Sequence, residues 1–207
     1  AQRMAVESQQ ARHWLTEQGV PPGKMLVTGK PGVDQIAETV VGVNVHQVRS
    51  DLGVGAEQKM LLCSVPQLGE HQLLPWDRHW EEITFLLDTF SRLPNTHVVL
   101  SLHPKSDPAD YQGYADRFEA TIATQRIYEL LPVCDLFVAT FSSTVVHAIA
   151  LHKPTVVVDF YGLGYDLYDE APGVTTIRDK PKLLPTLEKH VTDPSFYNQQ
   201  KQAQEAH

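Results

Sequence analysis

The feature that most limits what this chain can fold into is a repeated alternation of short apolar runs with longer amphipathic stretches. The runs are Lys59–Val65 (KMLLCSV), His97–Leu102 (HVVLSL), Asp135–Ala139 (DLFVA) and Thr155–Phe160 (TVVVDF). Strands without polar alternation are covered on both faces, as in a parallel sheet between helices. Helical spacing fills the intervals: 76–92 (WDRHWEEITFLLDTFSR), a weaker stretch near 109–116, a short one over Gln125–Leu131, and Ser142–Leu151. Phe118–Ile122 and Gly173–Ile177 add short strands, the latter at a sheet edge, and helices over 181–191 and 194–205 close the chain. The last helix is polar and is expected on the surface. These elements predict an α/β fold, a Rossmann-like parallel sheet with helices on both faces.

The first 50 residues are poorer in strands. Residues 3–18 place Met4, Ala11, Trp14 and Leu15 at helical spacing before Gly19. A short strand, Met25–Val27, runs into Thr28-Gly29-Lys30-Pro31-Gly32, and a second helical pattern covers about 34–48. Residues 1–50 are expected to bridge from a domain outside the chain, with 51–207 forming the sheet domain. The sequence opens inside a helical pattern and without Met, and reads as a piece of something longer.

At 207 residues and 42% hydrophobic content the chain can bury a core. A net charge of -8 argues against a nucleic-acid binder, which needs a basic face for phosphates. It leaves room for a phosphorylated small ligand. Cys63 and Cys134 sit in apolar runs and read as buried thiols of a reducing compartment. No window approaches the roughly 20 apolar residues of a membrane span, and no secretory leader opens the sequence, so the expected location is the cytoplasm.

Parallel sheets bind ligands beyond the carboxyl ends of their strands, which singles out the loops after Val65, Leu102, Ala139 and Phe160. After Ala139 come Thr140-Phe141-Ser142-Ser143-Thr144 and then a helix. Small hydroxyl residues there leave backbone N–H groups and the positive end of the helix dipole for an anion such as a diphosphate. Ser and Thr caps are ordinary, so this segment alone reads as a helix cap before it reads as a phosphate site. His103-Pro104-Lys105 follows another strand at the same end; His103 is either an exposed turn residue or a donor to a phosphate or sugar oxygen. His147, one helical turn beyond Ser143, either faces the same pocket or packs beneath the loop.

Other candidates are weaker. Gly29-Lys30-Pro31 has the spacing of neither a Walker motif nor the dinucleotide fingerprint. Glu70-His71 and the group His79, Glu81, Glu82 invite a metal. His79 and Glu82, however, fall on what the periodicity marks as the solvated face of a helix, opposite Trp76, Trp80 and Ile83. No metal site is expected. The loop Tyr161-Gly162-Leu163-Gly164-Tyr165 either lines a pocket or is packed around its glycine turns.

Three segments, in order, carry a family resemblance: Ala11–Ile36 (ARHWLTEQGVPPGKMLVTGKPGVDQI), His97–Pro104 (HVVLSLHP) and Gln125–Asp159 (QRIYELLPVCDLFVATFSSTVVHAIALHKPTVVVD). Together they resemble the C-terminal domain of GT-B-type sugar-nucleotide enzymes. The sequence is most similar to UDP-N-acetylglucosamine 2-epimerases, with capsule and teichoic-acid type glycosyl- and glycerophosphotransferases close behind. The resemblance implies that Ser142, Ser143 and Thr144 hold a diphosphate, the Ile127 backbone meets the base edge, and His103 lies near the sugar. It implies a nucleotide-sugar as substrate with no separate cofactor. It also places the acid and base carboxylates in an N-terminal domain outside this chain. Two positions depart from the family: His147 stands where a Glu grips the ribose hydroxyls, and His152 where a Gly precedes Lys153. An imidazole can still bond a diol in one tautomer. The expected function is the nucleotide-sugar-binding half of an epimerase or glycosyltransferase, the alternative a non-catalytic nucleotide- or phosphosugar-binding module.

Overall fold

The structure is a computed structural model that describes residues 3–29, 36, 40–164 and 166–205. It divides into two units, Ala1–Gly42 and Val43–His207. In the first unit, strand β1 (Met4–Val6) pairs in parallel with β2 (Met25–Val27), Met4 opposite Met25 and Val6 opposite Val27. Helix α1 (Gln9–Glu17) and a 3-10 turn at Pro22–Lys24 connect them. The helix expected over 3–18 therefore begins later. Ser8 is extended and its side chain accepts the Ala11 N–H at 3.0 Å, so it caps a helix that cannot run back through it. Met4 belongs to the strand, not to the stripe of Ala11, Trp14 and Leu15. Gly19, at φ +90°, ends the helix as expected. Of the helix expected over 34–48, residues 34–35 and 37–39 lie outside the described residues, as do Lys30, Pro31 and Gly32; the described part is not one helix, because 42–44 leave helical geometry before a new helix starts at Val45.

The second unit opens with α2 (Val45–Asp51), capped by the Asn44 side chain, which accepts the Gln47 N–H. Then follow β3 (Lys59–Ser64), α3 (Trp76–Ser91), β4 (Thr96–Ser101), α4 (Pro108–Arg117), β5 (Thr121–Ile122) and the short α5 (Ile127–Leu130). After a 3-10 turn at Leu131–Val133 come β6 (Leu136–Ala139), α6 (Thr144–Ala150), β7 (Thr155–Val158), β8 (Val174–Ile177), α7 (Leu183–Thr192) and α8 (Pro194–Glu205). The strands form one sheet, ordered β5-β4-β3-β6-β7-β8 and parallel throughout, with β8 at the edge as expected.

The period of two along each strand divides the core into two layers. Leu61, Cys63, Leu100, Val138 and Val156 pack with Leu86, Phe90 and Leu187 on one face. Met60, Leu62, Val99, Phe137 and Val157 pack with Leu130, Leu131 and Ala148 on the other. Burial of each such side chain contributes about 1.5–3 kcal/mol. Burial also pushes the Cys63 and Cys134 thiols up to about 12, leaving them protonated and inert. The sheet starts at β3, grows one way to β5, then returns to place β6 on the other side of β3. Ligands of open α/β sheets bind at this reversal.

One helix face is not as its pattern predicts. His79 is 0% and Glu82 4% exposed, whereas Trp76, expected inside, is 51% exposed. The reason lies in partners distant in sequence. His79 Nδ1 accepts the Gly69 N–H at 3.3 Å, its Nε2 meets the Tyr111 hydroxyl at 3.2 Å, and Lys180 Nζ reaches Glu82 at 2.6 Å. A paired and hydrogen-bonded polar group can be buried; helical periodicity does not register the partner. The polar α8 is likewise mostly exposed, except that buried Gln204 donates to the carbonyls of Lys153 and Gly173.

Candidate functional site

A cavity of about 650 Å³ opens beyond the carboxyl ends of β3, β4 and β6, at the point where the strand order reverses. Three strand-to-helix loops wall it: residues after Ser64, after Ser101, and Thr140–Thr144, with Ile127 at the start of α5 closing one side. Among the described residues that line it there is no Asp, Glu, Lys or Arg. Its polar groups are hydroxyls, an amide, imidazoles and backbone.

The wall after β6 is built from adjacent residues. The Ser142 hydroxyl lies 2.6 Å from that of Thr144 and accepts the Thr144 N–H at 3.3 Å, and its carbonyl accepts from Val145. Ser142 thus makes the local cap. Ser143 already has helical angles, φ -64° and ψ -14°, and makes no side-chain capping bond. It is exposed at the mouth of the cavity. On the β4 side His103 is also exposed, and its Nδ1 accepts the Lys105 N–H at 3.1 Å. That bond puts the proton of the neutral ring on Nε2, as a donor.

Of the residues singled out from the sequence, the cavity brings together Ser142, Ser143, Thr144, Ile127 and His103. His147 is not among its lining residues. It is buried on α6, with its ring centroid 5.3 Å from that of Tyr128. The loop after Phe160 does not line the cavity either. Its first anchor is Asp159, 4% exposed, whose carboxylate accepts the Leu163 N–H and faces Arg178 at 3.3 Å.

Gln67, His71 and Leu73, after β3, also line the cavity; the sequence marks only His71 among them, and as a metal candidate beside Glu70. For a ligand, position after a strand's carboxyl end is their only signal. His71 Nε2 lies 3.0 Å from Gln67 Oε1, and its ring stands edge-on to Phe141 with centroids 6.0 Å apart. Beneath them Glu70 holds the loop in place. Its Oε1 accepts from the Tyr111 hydroxyl at 3.0 Å and the Ser106 hydroxyl at 2.9 Å. Burial pushes the Glu70 carboxyl up, but its backbone bond and these two hydroxyls outweigh that and keep it below its ordinary value. Burial pushes His79 down, against the attraction of Glu70, so the ring is neutral. A directional chain results: Gly69 N–H to His79, His79 Nε2–H to Tyr111, Tyr111 O–H to Glu70. Among the described residues no group of three or more His, Cys, Asp or Glu is placed to hold a metal ion.

No protein-family model matches the sequence, and no curated protein matches it. Solved structures do match. A putative UDP-N-acetylglucosamine 2-epimerase from Listeria monocytogenes is 16% identical with a TM-score of 0.74, over 98% of this chain and 54% of that one. An S. aureus MnaA–UDP co-structure is 13% identical with a TM-score of 0.73, over 98% and 54%. WaaG, a glycosyltransferase involved in lipopolysaccharide biosynthesis, is 14% identical with a TM-score of 0.59, over 99% and 57%. The chain therefore spans about half the length of these proteins. At such identities the likeness is one of fold: a Rossmann-like parallel α/β unit shared with nucleotide-sugar epimerases and GT-B glycosyltransferases.

Proposed function

We propose that this chain is the nucleotide-sugar-binding half of an epimerase-like or glycosyltransferase enzyme. The observation that carries the reading is the cavity at the strand-order reversal, with the hydroxyl-rich loop Ser142–Thr144 on its wall. In this reading, hydroxyls and N–H groups of Ser142, Ser143 and Thr144 take the diphosphate, the Ile127 backbone takes the base edge, and His103 Nε2–H donates to a phosphate or sugar oxygen. On α6, His147 packs against Tyr128. The MnaA neighbour was solved with UDP, which supports the ligand class.

The resemblance places the acid and base carboxylates in a domain outside this chain, and among the described residues that line the cavity there is no carboxylate. The chain's contribution is to hold the departing nucleotide diphosphate, whose growing charge preorganised donors stabilise. A partner domain is also supported by the β1–β2 pair. A two-stranded parallel sheet is marginal alone, and Met4 and Leu26 on it are exposed. We place the enzyme in the cytoplasm, where nucleotide-sugars are used; no helix among the described residues is long and apolar enough to cross a membrane. Titration calorimetry with UDP, CDP and UDP-N-acetylglucosamine tests the reading. Ser143→Asp sets a carboxylate against the phosphate position and is expected to weaken UDP binding at least tenfold with little change in melting temperature. Unchanged affinity refutes the assignment. Absence of any nucleotide binding by the folded chain leaves the enzyme-half reading without support and favours a module that retains the fold only.

A further inference from the structure

The wall after β3 is unusual for a surface loop, because a buried polar chain organises it. Tyr111 and Ser106 donate into one oxygen of Glu70, and Ser106 also donates its N–H to the His103 carbonyl. Glu70 thus ties the loop bearing Gln67, His71 and Leu73 to the turn bearing His103. Both walls are set before any ligand arrives, which lowers the ordering cost of binding.

His71 projects from this loop with one ring nitrogen already committed. Gln67 Oε1 is an acceptor, so at 3.0 Å it takes the Nε2–H, and Nδ1 of the neutral ring keeps its lone pair. The ring is exposed and stands against Phe141, the residue before Ser142. Leu73, 40% exposed, adds an apolar surface to the same cavity. An apolar floor with one oriented acceptor suits a group that presents C–H and O–H together. A substituent attached to a phosphate at Ser142–Thr144 lies next to Phe141, and so within reach of His71.

We propose that His71, oriented by Gln67 and carried on the loop that Glu70 anchors, recognises a hydroxyl of the glycosyl group of the ligand. This assignment rests on the nucleotide-sugar reading above. It deepens that reading by dividing the cavity into a phosphate wall and a sugar wall.

The test compares UDP with UDP-N-acetylglucosamine by calorimetry on the full chain. The quantity read is the ratio of their dissociation constants, which isolates what the sugar contributes. His71→Ala is expected to cut that ratio about fivefold to tenfold, the worth of one hydrogen bond. His71→Asn, whose Oδ1 offers an acceptor in place of Nδ1, is expected to restore part of it. Gln67→Ala, which frees the ring, is expected to lower it less than His71→Ala. If wild-type chain binds UDP and the ratio is unmoved in His71→Ala, His71 does not meet the sugar and this assignment alone falls. If His71→Ala weakens both ligands equally, His71 meets the nucleotide, and the division of the cavity is overturned. If neither ligand binds the wild-type chain, the nucleotide-sugar reading fails and takes this one with it.

Discussion

Two walls face each other across the cavity, and they are built in opposite ways. The wall after β6 is made of neighbours: Ser142 bonds Thr144, two residues away, and its carbonyl is met by Val145. The wall after β3 adds distant partners to its own local turns. Gly69 meets His79 ten residues on, Ser106 reaches Glu70 across 36, and Tyr111 across 41. Local bonds place a few atoms and leave the rest of the loop to the sheet beneath. The long-range chain fixes a whole loop, and makes it depend on residues that touch no ligand.

The sharpest way to break that contrast is to remove the centre of the long-range chain. His79→Ala opens a cavity in a fully buried site, strands the Gly69 N–H and takes from the Tyr111 hydroxyl the donor it accepts from. We expect a loss of about 3–4 kcal/mol in urea unfolding. A histidine on a solvated helix face would cost under about 0.5 kcal/mol. A loss that small would return His79 to the surface and dissolve the distinction between the walls.

A gentler pair of substitutions compares the walls directly. Tyr111→Phe keeps the ring among Trp80, Tyr114 and His79 but removes the hydroxyl that links His79 to Glu70. It is expected to cost about 1.5–2 kcal/mol, because a charge-assisted bond goes and a buried imidazole loses its acceptor. Ser142→Ala removes only a local cap and is expected to cost about 0.5–1 kcal/mol. Parallel denaturation curves with unchanged slopes would show the ordering. A larger loss for Ser142→Ala would reverse it.

What the sequence made legible follows the same division. The parallel sheet was readable because buried strands such as Leu61-Leu62-Cys63 and Val156-Val157-Val158 declare themselves by unbroken apolarity. Ser142–Thr144 and His103 stand out in the sequence because they follow strands, a feature of chain order, and Ile127 only through the family resemblance; all of them line the cavity. Met4 was misplaced because three residues of strand cannot be told from a helical stripe until Ser8 is recognised as a cap. His79 and Glu82 were misplaced for a deeper reason: periodicity assumes that polar means exposed. Their partners, Tyr111 and Lys180, are brought near only by the fold. His71 was visible as a residue, and the dependence of its position on Glu70 was not.

The smallest expected effect concerns the far end of the locally built wall. Helix α6 closes with the Lys153 N–H on the Ala148 carbonyl and the His152 N–H on the Ile149 carbonyl, a pair of bonds that requires a left-handed residue between them. His152 fills that place at φ 53°, where the resembled family has glycine and where a Cβ is strained. His152→Gly is therefore expected to stabilise by about 0.5–1 kcal/mol, and to raise the melting temperature by about 1–4 °C. His152→Ala keeps the strain and should give no gain. If glycine destabilises instead, the imidazole makes packing contacts worth more than the strain it carries. A gain would show that the wall after β6 can be improved by one local change.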